Sequence, residues 1–233
     1  MSNHTTAPAR ATGGPNPGIL GLVSLGLLIG SLVSMAILTG GTITSPFEDT
    51  ETVAEFFADH GFAASFASML QLGSAIPLGI YTATVYARQQ RLGIRVPGPV
   101  IGQFGGTAAA ILLAVSAIIT WTQSQPTVAA NPELTHALAY LSFATGGFAH
   151  VLGLGLLVAG IAVPTLLLRL LPAPLAWTGL VIAVLAELSF LTMVFEPVQF
   201  LVPIGRFGAL VWLVVAGFLL PRSRPRTRHT QGT

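Results

Sequence analysis

The chain has no cysteine and no lysine. The first absence excludes disulfides, thiolate metal centres and cysteine nucleophiles. The second makes all ten basic residues arginine, a composition habit that carries no functional argument. Charge is scarce in general: Asp, Glu, Lys and Arg make up 8% of 233 residues, where a soluble domain carries about 25%. A surface with so few charges cannot be covered for water, so much of it must face lipid. Catalytic signatures are missing too. There is no nucleophile elbow, P-loop or HExxH pair, no carboxylate run with metal-ligand spacing and no regular arginine ladder. The pI of 9.7 suggests nucleic acid, but the basic residues sit in short patches beside apolar runs, which argues against it.

What is present is apolar sequence, 52% hydrophobic with a mean hydropathy of +0.77. A membrane helix needs about 20 apolar residues at 1.5 Å each to cross about 30 Å of hydrocarbon. Six such runs fit. The expected fold is all-α, an integral bundle of six transmembrane helices over residues 18–221. A polar, disordered tail (1–17) precedes it and a basic tail (222–233) follows. The first run, 18–39, is 22 uncharged residues, longer than the apolar core of a signal peptide. A retained first span is the expectation, with a cleaved signal as the competing reading.

Between the first two runs, TVAEFFADHGF places Val53, Phe56, Phe57 and His60 at helical spacing. Ser45-Pro46 or Thr50 is placed to start this short amphipathic helix near 50–60. One reading lays it on the membrane with its phenylalanines in the interface; the other makes it the start of the second span. The remaining spans run about 61–87, 100–121, 134–168, 175–195 and 203–220. Trp121 is an interface anchor, and Pro164 bends or ends the fourth span. Spans two–three and four–five share a faint pattern of apolar helix, Arg and Pro-bracketed turn, a parallel repeat with poor residue matches.

Charge orients the bundle. Nine arginines (Arg10, Arg88, Arg91, Arg95, Arg169, Arg222, Arg224, Arg226 and Arg228) fall on the side of the N-terminus, and Arg206 alone falls on the other. Seven of the eight acids fall opposite the nine arginines. The positive-inside rule makes the arginine side cytoplasmic, so both termini are expected inside a cytoplasmic membrane. The C-terminal arginines either touch anionic lipid or serve only as a topology signal.

The eighth acid, Glu187, lies inside the fifth span, about 13 Å from Glu196 along the helix. Ionisable residues inside a membrane are functional candidates by default. Gln71 lies at a similar level in the second span, and Arg206 stands three residues into the sixth, able to snorkel to the surface. Together with His150 they form the expected ligand cavity. The competing reading is a structural bond from Glu187 to Arg206, Gln71 or a hydroxyl. His150 lies in the Gly-rich stretch TGGFAHVLGLG of the fourth span. His136 is 14 residues before it, nearly four turns, so both are expected on one face. That spacing resembles the paired histidines of membrane b-type cytochromes, and His60 is the candidate to oppose His136. Haem b is therefore an alternative cofactor to none, and His60, His136 and Glu133 are an alternative metal site. Gln103, Gly105 and Gly106 suit helix contact, as do Gly205, Gly208, Ala209, Ala216 and Gly217 in the sixth span.

The length, the acidic loop with its short helix, and the ending RFGALVWLVVAGFLLPR resemble the uncharacterised bacterial six-span family DUF4386, over about residues 18–221. That resemblance implies a fold and no activity. The expected function is non-enzymatic: binding or passage of a small apolar or amphipathic molecule. The alternatives are an accessory subunit packed on a partner membrane protein, or a homo-oligomer, and a haem-binding redox protein.

Overall fold

The computed structural model describes residues 14–42 and 44–221. The arginine cluster at 222–228 and Arg10 lie outside the described residues. The helices are α1 (Pro17–Leu38), α2 (Thr50–Asp59), α3 (Gly61–Arg91), α4 (Gly98–Gln123), α5 (Pro126–Ala129), α6 (Pro132–Ala144), α7 (His150–Leu167), α8 (Ala173–Leu188) and α9 (Leu201–Leu219). A π-helical turn, Thr145–Ala149, joins α6 to α7, and 3-10 turns follow α8 and precede α9. With these turns counted in, six helices are long and apolar enough to cross a membrane. The all-α bundle of six spans is thus as expected. Its first helix begins one residue earlier, at Pro17, because Asn16 caps it by accepting from the Gly18 N–H.

The spans form a closed ring in chain order, α1 against α3, α3 against α4, α4 against α7, α7 against α8, and α8 against α9, which returns to α1. The α6–α7 span is the most interior. Two thirds of its apolar window (67%) is buried, against 22% for α1. The outward wall is apolar, with Ile37, Phe62, Ile76, Phe104, Trp177 and Val181 all exposed. Such a wall matches hydrocarbon rather than water, so cohesion between spans must come from packing and hydrogen bonds. Ser24 and Ser74 each donate to the other's backbone carbonyl, at 2.9 and 2.7 Å. Tyr81 crosses the interior to the Leu213 carbonyl.

In the half of the bundle carrying Arg88 and Arg169, the arginine face, α4 and α7 close tightly on each other. Gly98, Gly102 and Gly105 of α4 meet Gly153 and Gly160 of α7. A Cβ on Gly153 would lie 2.7 Å from the Ala109 nitrogen and from the Gly105 carbonyl. Pro164 does not end its helix, since α7 runs through it to Leu167. Proline has no N–H to give the carbonyl four residues back. Here Gln89 Nε2 donates to that carbonyl, on Gly160, at 3.0 Å. The irregularity of this span lies instead at Gly147, whose φ −83°, ψ −111° is not helical.

The opposite half, the acidic face, is covered by α2 and the segment before it. Asp49, rather than Ser45 or Thr50, caps α2, accepting from the Thr52 N–H. α2 is separate from the second span, the chain turning at His60 between them. Its phenylalanines do not dip into an interface. Phe56 and Phe57 are buried with Val53 against Ala64, Ala129 and Ala139, so α2 folds onto the ends of α3 and α6.

Candidate functional site

A cavity of about 340 Å³ lies beneath this cover on the acidic face. Thr44, Pro46 and Phe57 form its rim, and Gln71, Ser116, Gly146 and Arg206 lie deeper, on four different spans. Leu32 of α1, 47% exposed on the outward wall, also lines it, so the cavity reaches the side of the bundle as well as its end.

The rim is held by one histidine. His136 Nε2 lies 3.0 Å from the Pro46 carbonyl and Nδ1 lies 2.8 Å from the Thr50 hydroxyl. The carbonyl only accepts, so Nε2 donates and Nδ1 accepts from Thr50 in the neutral ring. Phe47 adds edge-on contacts to Tyr140 and Phe143 at 5.8 and 5.4 Å. At the rim, Glu48 accepts from the Thr44 hydroxyl and the Ser45 N–H. Asp49 is occupied by its cap. The Thr52 backbone N–H and hydroxyl hold its carboxyl below the usual carboxylate range.

The floor is a hydroxyl network. Gln71 Nε2 donates to Ser116 Oγ at 3.2 Å, and Ser116 Oγ donates to the Ser142 carbonyl at 3.0 Å. Thr120 and Ser142 share a hydroxyl bond of 2.8 Å. Ser116, Thr120 and Gln123 stand at i, i+4 and i+7, a polar stripe on α4 facing the cavity. That stripe is written in the sequence, and so are Ser142 and Gly146, which line the cavity with it. Neither is conspicuous beside the charged residues.

The π-turn shapes the deep end. The His150 N–H goes to the Thr145 carbonyl, five residues back, and to Gly147, not to Gly146 four back. Gly146 turns its carbonyl to Arg206, which donates from Nη2. Arg206 therefore does not snorkel to the surface; it points inward, to a residue 14 positions past the start of its span. Its Nε is buried and has no hydrogen-bond partner.

Of the expected cavity residues, Gln71 and Arg206 are brought together, and Glu187 and His150 do not line this space. Glu187 lies on the α8 side of α7, over Gly155. A Cβ on Gly155 would come within 2.7 Å of its Oε1, which is buried without a partner. A Glu187–Arg206 bond is not formed among the described residues. His150 is wholly buried with Nδ1 2.8 Å from the Ala109 carbonyl, while Nε2 has no partner.

His136 and His150 do not share a face: one meets the acidic-face segment, the other meets α4. The physical reason is the π-turn, whose extra residue shifts the helical phase by about 100° between them. His136 has both ring nitrogens engaged. His60 packs beside the Phe56 ring, and no group of three or more His, Asp or Glu suited to a metal occurs among the described residues. Gln103 sits on the outward wall with Val100, Phe104 and Ile111, whereas Gly105 and Gly106 are in the buried seams against α7 and α3. A larger groove of about 520 Å³ between α3 and α4 is walled by exposed Met69, Ile118 and Trp121, and its polar lining residues, Ser65 and Ser68, are engaged by the Ser124 hydroxyl and the Ala64 carbonyl. No protein-family model, curated protein or solved structure matches this chain.

Proposed function

We propose that the protein is a multi-pass protein of the cytoplasmic membrane, both termini inside, that binds a small amphipathic molecule in the acidic-face cavity. The carrying observation is the cavity itself: a polar floor of Gln71, Ser116 and Ser142, apolar walls of Leu32, Phe57, Phe143 and Val202, and a side that reaches the bilayer-facing wall. Its 340 Å³ falls at the low end of small-molecule pockets, about 300–1,000 Å³. The closed glycine seam on the arginine face supports binding over passage. Orientation rests on the charge distribution, which puts α2 outside.

The absence of native cysteine makes a single introduced thiol a clean probe. Ser142→Cys is expected to react with a membrane-impermeant thiosulfonate added outside intact cells, and dodecanol is expected to slow that reaction. Labelling only from the cytoplasmic side overturns the orientation. A thiol that reacts without any protection by dodecanol or dodecanoate overturns ligand binding here.

A further inference from the structure

Arg206 is a cation whose inventory of partners is short. Guanidinium carries five N–H donors and no acceptor. One donor goes to the Gly146 carbonyl, a neutral group, and the buried Nε–H goes to nothing. No carboxylate among the described residues pairs with it. Glu187 is directed at Gly155, Glu48 is engaged by Thr44 and Ser45, and Asp49 by Thr52. The other deep groups are neutral and largely satisfied by each other, Gln71 on Ser116, Ser116 on Ser142, Ser142 on Thr120. The charge of the cavity is therefore set by Arg206. A cation held at membrane depth without a counter-charge is costly, and it is ordinarily retained where it meets an anion. The rigid fork of guanidinium suits a two-oxygen head group above a point charge.

The approach is also specified. Leu32 joins the cavity to the exposed wall of α1, and Phe57, Phe143 and Val202 line it with apolar surface. A ligand that seats an oxyanion on Arg206 leaves its apolar part along these residues, toward the bilayer. We propose that the ligand of this cavity is an anionic amphiphile, an oxyanion head on an aliphatic body, bound head-first on Arg206. The proposal rests on the cavity-binding reading above and adds the charge and polarity of the ligand.

The test uses the whole chain, as Ser142→Cys, in phosphatidylcholine nanodiscs, with protection of the thiol as readout. Four probes are compared: dodecanoate, dodecyl phosphate, dodecanol and acetate. Dodecanoate or dodecyl phosphate is expected to protect at about tenfold lower concentration than dodecanol, the scale of one charge-assisted pair. Whichever of the two is better identifies the head group. Arg206→Gln is expected to erase that advantage, so that acid and alcohol protect at the same concentration, and Arg206→Lys to retain part of it. Equal protection by dodecanol and dodecanoate overturns the anionic ligand and leaves the cavity reading standing. Protection by acetate as strong as by dodecanoate overturns the amphiphile. No protection by any probe overturns both readings. Should Arg206→Gln not yield folded protein, the comparison of acid with alcohol on the unsubstituted Arg206 protein decides alone.

Discussion

Arg206 on α9 donates to the carbonyl of Gly146, the group that the π-turn before His150 releases from the His150 N–H. A single extra residue in the fourth span thereby does two things. It gives Arg206 a fixed partner deep in the bundle, and it widens the fourth span where Ser116 and Gln71 approach it. π-turns of this kind recur at functional sites because they expose backbone groups that a regular helix consumes.

Gly146 is the tightest position in the floor. A Cβ there would collide with the Ser116 side chain, with Gln71 Nε2 at 3.5 Å. Gly146→Ala is expected to destabilise the bundle by about 1–3 kcal/mol through overpacking. It should also abolish dodecanol protection of a thiol at position 142. Thermal unfolding in nanodiscs and thiol labelling check the two effects; unchanged stability with full protection refutes the packing assigned here.

The arginine-face seam makes a paired prediction. A Cβ on Gly160 would meet the Gly102 backbone and lie 2.6 Å from the Gly98 carbonyl, and neither can yield as a side chain would. Gly160→Ala is expected to cost about 1–3 kcal/mol. Gly26→Ala, with nothing within 4 Å, is the control and should leave stability unchanged. Equal melting temperatures for both variants would contradict the seam.

Asp49 sets the acid response of the cover. Its carboxyl is held below the usual range by the Thr52 N–H and hydroxyl, so the folded form favours the charged state. The capping contribution is present above the unfolded aspartate value, about 3.9. It is lost as pH falls through the lower folded value. Protection of the amides across residues 50–59, taken relative to the intrinsic exchange rate at each pH, should therefore fall on acidification below about pH 4. Asp49→Asn, which still caps, should largely lose that pH dependence. An acid transition of the same size in Asp49→Asn would place it elsewhere.

Glu187 is predicted to be separable from binding. It lies over Gly155 on the α8 side of α7, away from the cavity lining. Glu187→Gln keeps the shape and should leave probe concentrations for half-protection within about twofold, less than the 1.4 kcal/mol of a tenfold change. A tenfold loss would show that the acid is coupled to the site.

How much of this was legible beforehand differs by residue. The six spans and their alternating charges follow from runs of apolar residues and from arginine placement, which are local properties. Gln71 and Arg206 stand out because polar groups in such runs are rare. Ser116, Thr120 and Ser142 were harder to see, since lone hydroxyls commonly bond to their own helix, as Thr82 does to Leu78 and Thr165 to Ile161. Phe56 and Phe57 read as an interfacial face because amphipathicity does not say whether the apolar side meets lipid or protein. Pro164 read as a break because the sequence does not show Gln89 donating to the carbonyl it leaves free.

The sequence by itself determined the number of spans, the likeness of their walls to hydrocarbon and the separation of acid from arginine. Each depends only on composition along the chain. Tertiary structure decided which polar residues meet. His150 turned from His136, and Glu187 from Arg206, because rotational phase around a helix changes by about 100° for each residue. One π-turn at Thr145–Ala149 therefore re-aims the side chains of α7 relative to those of α6. The contact of Arg206 with the Gly146 carbonyl exists through that turn, which no count of apolar residues contains.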